Sequence, residues 1–121
     1  MTMIDLALKQ ALRSNCRQRV GAVLAQGSRV IAASPNRRRN NPAITFTHAT
    51  FHAEEAVLRR ASRTDGAIIY VARIDSNGAP RIAKPCLRCQ RALALAGVTR
   101  AHYTVELNSV ENLDLTYGDY L

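Results

Sequence analysis

A chain of 121 residues, 47% of them hydrophobic, can build one domain with a real core and is too short for two, so residues 1–121 are expected to form one unit. No apolar run approaches the roughly 20 residues of a membrane span, and three cysteines, an odd count, exclude a disulfide framework. A net charge of +8, with Glu106, Glu111, Asp114 and Asp119 gathered at the end, leaves the remainder strongly basic and suited to phosphate-bearing partners, whether mononucleotide or nucleic acid.

Ile4, Ala7, Leu8, Ala11 and Leu12 repeat at helical spacing and predict an amphipathic helix over residues 3–15, with Thr2 and Asp5 at capping-box spacing. Asp5 and Lys9 interrupt its apolar pattern, so it reads as a helix rather than an export signal, and a cytoplasmic location is the expectation. Val20 to Ala25 and Val30 to Ala33, separated by Gln26-Gly27-Ser28, predict a β-hairpin. Residues 34–51 have little periodicity and include the run Arg37, Arg38, Arg39; a loop of this length is usually functional or disordered. His52 to Arg63 predicts a second helix and Ala67 to Ala72 a strand. Asn77-Gly78 is a turn signal that can close a small hairpin. Pro85 opens a third helix that runs to Gly97, a plausible C-cap, and Ala101 to Val105 is a further strand. The order α-β-β-α-β-α-β implies a three-layer α-β-α sandwich around one mixed sheet, the first two strands antiparallel and the later ones joined by parallel crossovers.

The chemistry-bearing residues stand at two predicted helix starts. His52-Ala53-Glu54 opens one and Pro85-Cys86-Leu87-Arg88-Cys89 the other, and in a parallel α/β sheet such starts line the carboxyl edge of the strands, where sites form. Cys86 and Cys89 are one helical turn apart, so both thiols can face one metal. Two thiolates and an imidazole leave one tetrahedral position open, which is the catalytic kind of zinc site, with one Zn2+ per chain. A catalytic zinc makes water a nucleophile at neutral pH, and the proton shed in that step needs a nearby carboxylate; Glu54 fits this role. Each motif alone is weak: a lone C-x-x-C suggests a redox pair or half a structural zinc site.

Together the two motifs are the signature of zinc-dependent nucleobase deaminases, and nearly the whole chain resembles the cytidine deaminase superfamily. Arg19-Val20-Gly21-Ala22-Val23-Leu24 is similar to that superfamily's first strand, and Arg13-Ser14-Asn15-Cys16 is similar to the Arg-Ser-x-Cys of deoxycytidylate deaminases. The overall likeness is to small deoxycytidylate-deaminase-like proteins of phages and actinobacteria. The resemblance implies that Asn36 and the backbone at Ala53 hold base and sugar. A first zinc ligand of His52 rather than Cys argues against a free nucleoside. Glu55-Ala56-Val57 replaces an Asn often found in deoxycytidylate deaminases, and Arg37-Arg38-Arg39-Asn40-Asn41-Pro42 replaces their glycine-rich loop. We expect Arg37, Arg38 and Arg39 to touch substrate phosphate.

The expected function is hydrolytic deamination of cytosine in a nucleotide, deoxycytidylate to deoxyuridylate with release of ammonia. The alternatives are a deaminase of single-stranded DNA or tRNA, acting on cytosine or adenine, and an inactive zinc-stabilised interaction module. The basic excess admits nucleic acid as a partner, no membrane partner is expected, and self-association stays open. Cys16 is expected to be a buried small hydrophobe, His48 a surface or supporting group, and His102 structural. Tyr103, Tyr117 and Tyr120 are expected to pack in the core or tail.

Overall fold

The computed structural model describes residues 2–38, 50–106 and 109–116. Among these, the order is α1 (Met3–Leu12), β1 (Arg19–Gln26), β2 (Arg29–Pro35), β3 (Arg37–Arg38), β4 (Thr50–Phe51), α2 (Ala53–Arg60), β5 (Ile68–Ile74), β6 (Pro80–Arg81), α3 (Leu87–Leu95), β7 (Arg100–Thr104) and β8 (Val110–Asp114). The expected helix–strand order is present. Asn77-Gly78 does close a hairpin, with β6 antiparallel to β5. The short ladder β3–β4 and the return strand β8 are additions that the sequence reading did not contain.

The main sheet has the order β2-β1-β5-β7-β8, with β6 attached to β5. β1 is antiparallel to both neighbours, β5 and β7 are parallel across α3, and β8 is antiparallel to β7. The acidic stretch therefore becomes an edge strand that sets Asp114 opposite Arg100. No described helix is long and apolar enough to cross a membrane.

Strand alternation sorts the core into two layers. Ala22 and Leu24 of β1 and Ile69 and Val71 of β5 face α2 and α3, where they join Val57 and Leu93. Val23 and Ala72 face α1 and pack with Ala7. The result is helix, sheet, helices, as expected. Gly21 sets how closely α1 lies on the sheet, because a Cβ there would stand 2.2 Å from the Ala7 carbonyl oxygen and 2.3 Å from the Ala11 nitrogen.

All three helices are shorter than expected, α3 by two residues at each end because Cys86 and Ala96 are its caps. Thr2 and Asp5 form the capping box that starts α1, and the helix ends at Leu12 in a tightened turn, the Arg13 and Ser14 N–H groups bonding back three residues to the Gln10 and Ala11 carbonyls before the Ser14 hydroxyl donates to Asn36 and accepts from the Cys16 N–H. α2 stops at Arg60 because Ala61 takes an extended conformation. Both α2 and α3 run antiparallel to the strands they lead into, so their N-termini meet at the carboxyl edge of β5. The pairing of Arg19 with Ile74 brings the start of β1 to that same edge.

Candidate active site

His52 is the N-cap of α2 and Cys86 the N-cap of α3, while Cys89 lies in the first turn of α3. Three links hold the segment before Cys86. The Ala83 N–H donates to the Thr104 carbonyl at 2.9 Å, the Thr104 hydroxyl donates to the Arg81 carbonyl at 2.7 Å, and the Gln90 amide donates to the Pro85 carbonyl at 2.7 Å.

The ligand atoms of His52, Cys86 and Cys89 all lie within 4.8 Å of one another. His52 Nδ1 is 3.2 Å from Cys89 Sγ and 3.8 Å from Cys86 Sγ. A tetrahedral zinc with Zn–S of about 2.3 Å and Zn–N of about 2.0 Å has N···S edges of about 3.6 Å, so the spacing fits the ion. The donor chemistry fits too. Burial, together with the nearby Glu54 and Cys86, pushes the Cys89 thiol far above its ordinary value, an environment that a dication reverses by favouring thiolate. The ligands are graded in exposure: Cys89 is buried, His52 half-buried and Cys86 exposed, so the cluster opens to solvent on the Cys86 side.

Glu54 is buried in the first turn of α2 with 5% of its surface exposed. Burial pushes its carboxyl up to about 6, with Glu55 adding to the rise, while its own backbone N–H and the Cys89 thiol draw it back. A buried carboxyl raised in this way beside the donor cluster is placed to take and give a proton. Ala53, fully buried, opens α2 next to it.

Asn36 sits at the same edge and is itself buried. Its Oδ1 accepts from the Val20 N–H at 3.0 Å and from the Ser14 hydroxyl, and its Nδ2 donates to the Gln18 carbonyl at 2.7 Å. These bonds tie down the loop that leads into β1. They also fix which way round the amide stands, because the Val20 and Gln18 partners are backbone groups. Arg37 pairs with Phe51 and Arg38 with Thr50 across β3–β4, which sets the start of the arginine run beside the residue preceding His52. Arg39, His48, Tyr117 and Tyr120 lie outside the described residues. Cys16 is buried, Tyr103 is in the core, and His102 stacks on Tyr70 with ring centroids 5.2 Å apart.

The group that joins the two ligand-bearing helices is not one that either motif singles out. Glu55 Oε1 accepts from Arg88 Nη2 at 2.9 Å and from the His52 N–H at 3.4 Å. The signal was present in part, since Glu three residues after an N-cap is the capping-box position. Nor is Ser14 marked in the sequence as the partner of Asn36, although the Arg13-to-Cys16 motif contains it.

The family model of the cytidine and deoxycytidylate deaminase zinc-binding region matches residues 1–105. A tRNA-specific adenosine deaminase of Agrobacterium fabrum (strain C58 / ATCC 33970) is 35% identical over 108 residues, which cover 83% of this chain and 61% of that protein. The chain thus spans about three fifths of that curated relative. The fold is similar to that of the deoxycytidylate deaminase of cyanophage S-TIM5, with TM-score 0.67, 24% identity, and 88% and 82% of the two chains covered. It is also similar to a cytidine deaminase from Burkholderia pseudomallei, with TM-score 0.71, 20% identity, and 95% and 94% covered. With a zinc-type donor cluster in place and the family model matched over residues 1–105, the chain belongs to the cytidine and deoxycytidylate deaminase zinc-binding family.

Proposed function

We propose that the chain removes the exocyclic amine of cytosine in a nucleotide, converting deoxycytidylate to deoxyuridylate with release of ammonia. The observation that carries this reading is the buried Glu54 carboxyl set beside the converging donors of His52, Cys86 and Cys89. Those three residues hold the ion. Bound there, zinc supplies a water nucleophilic at neutral pH.

Glu54 takes one proton from the attacking water and passes it to the ring nitrogen, then takes the remaining hydroxyl proton and delivers it to the amine, which leaves as ammonia as the ring carbonyl forms. Its burial excludes bulk water from doing the same work. The Ala53 backbone and Asn36 hold base and sugar; with three hydrogen-bonding positions of its amide engaged by the loop, Asn36 offers an N–H donor. Arg37 and Arg38, with Arg39 following, meet the phosphate. The position of β3 beside His52 supports that assignment.

A second reading, deamination of a base within tRNA, is favoured by the 35% identity to the tRNA-specific adenosine deaminase and by the net charge of +8. One experiment tests both. Ammonia release is measured for the zinc-loaded protein and for Glu54→Gln with deoxycytidylate, deoxycytidine, cytidine, a single-stranded oligodeoxynucleotide and tRNA. The expected result is turnover of deoxycytidylate above deoxycytidine, with Glu54→Gln keeping its zinc and losing about 10⁴-fold, the top of the range for a positioned acid–base group. Turnover confined to tRNA overturns the first reading in favour of the second. No turnover of any substrate leaves the zinc-stabilised module.

A further inference from the structure

Arg88 is placed against its helix. It lies in the first turn of α3, between Cys86 and Cys89, where the helix dipole disfavours a cation. One of its partners lies on the other ligand-bearing helix. Arg88 Nη2 donates to Glu55 Oε1 at 2.9 Å, and Glu55 is in the first turn of α2. The same oxygen accepts the backbone N–H of His52 at 3.4 Å. A chain of contacts therefore runs from the segment carrying both thiols, through Arg88 and Glu55, to the backbone of the histidine ligand. Glu55 is acting as a capping-box residue for α2 while reaching across to α3.

The ligands stand on two helix starts separated by more than 30 residues of chain, and their convergence depends on how those starts are held together. We propose that the Glu55–Arg88 ion pair is a clamp that presets the zinc cluster, with both residues acting as positioning residues. This inference rests on the reading of His52, Cys86 and Cys89 as the metal ligands. Groups behind a ligand set its orientation and so affect how tightly the metal is held. The pair is partly exposed, with 43% of the Arg88 side chain and 24% of the Glu55 side chain accessible, so its effect is modest and screened by salt.

The test is the rate at which the zinc-loaded protein gives up its metal to a chelator, followed with a zinc-sensitive dye. Arg88→Met keeps the apolar stem and removes the charge; it is expected to release zinc about two- to fivefold faster at low salt. Arg88→Lys restores the charge and is expected to recover most of the wild-type rate. The gap between wild type and Arg88→Met is expected to close in 1 M salt. Glu55→Gln/Arg88→Met should be no faster than the faster single variant, since the two groups act as one. In the cobalt-substituted protein, the thiolate-to-metal absorption should shift in Arg88→Met and return in Arg88→Lys. Wild-type release rates and an unchanged cobalt spectrum in Arg88→Met overturn the clamp. A wild-type chain that retains no zinc overturns the ligand assignment, and the clamp with it.

Discussion

Gly21→Ala is a one-carbon change whose sign depends on tertiary structure. Gly21 does not have the positive φ found at Gly27, Gly66, Gly78 and Gly97, so its backbone suits alanine. Considered alone, the substitution would stabilise the protein by about 0.4–1 kcal/mol through the unfolded chain. Packing reverses this. The new Cβ would stand 2.2 Å from the Ala7 carbonyl oxygen, 2.3 Å from the Ala11 nitrogen and 2.7 Å from Gln10 Cβ. The first two are helix backbone and cannot turn aside, so α1 must lift by about 1 Å to restore van der Waals contact. Overpacking of this kind costs about 1–3 kcal/mol, and lifting α1 also loosens Ala7 from Val23 and Ala72. The clash wins. We expect a net loss of about 2 kcal/mol, or a melting point lower by about 10 °C for a chain of this size. Thermal unfolding of the zinc-loaded protein, followed by circular dichroism, checks this. Zinc content should not change, because the ligands stand on α2 and α3, on the opposite face of the sheet. A Gly21→Ala protein at least as stable as wild type would refute the close seating of α1 on β1.

Metal analysis should find about one zinc per chain. Cys86→Ser, Cys89→Ser and His52→Ala should each lose it and fall in stability, because structural convergence and metal binding are coupled; full metal occupancy in any of the three removes that residue from the cluster. For the arginine run, Arg37→Ala and Arg38→Ala should raise KM for deoxycytidylate several-fold while leaving KM for deoxycytidine unchanged, and equal effects on the two substrates would show that β3 does not read phosphate.

The helix starts at His52 and Cys86, the glycine after α3, and the hairpin at Asn77-Gly78 were legible in the chain because each depends on neighbours in sequence. Capping, turn chemistry and 3.6- or 2-residue periodicity are local rules. The residues of the His52, Cys86 and Cys89 donor cluster were legible for the same reason. Cys86 and Cys89 share a helical turn, and His52 and Glu54 are two residues apart, so only the approach of two short motifs had to be inferred. Strand β8 was not legible, since Glu111, Asn112 and Asp114 carry no alternating apolar signal; it forms by backbone pairing with β7, helped by Glu111 accepting from the Tyr103 hydroxyl and by Leu113 packing on the core. The ladder of Arg37 with Phe51 pairs residues 14 apart in the chain, and no sequence pattern between them signals it.

What only the tertiary structure decided are contacts between segments remote in sequence. Ser14 reaches Asn36 across 22 positions and Arg88 reaches Glu55 across 33. Nothing near Gly21 in the chain says that α1 lies on it. The sequence by itself therefore placed the donor set of His52, Cys86 and Cys89, and the carboxylate of Glu54, within two short motifs. The fold decided how those groups are held, because hydrogen bonds, ion pairs and close backbone approaches act through distances of a few ångströms in space and are indifferent to distance along the chain.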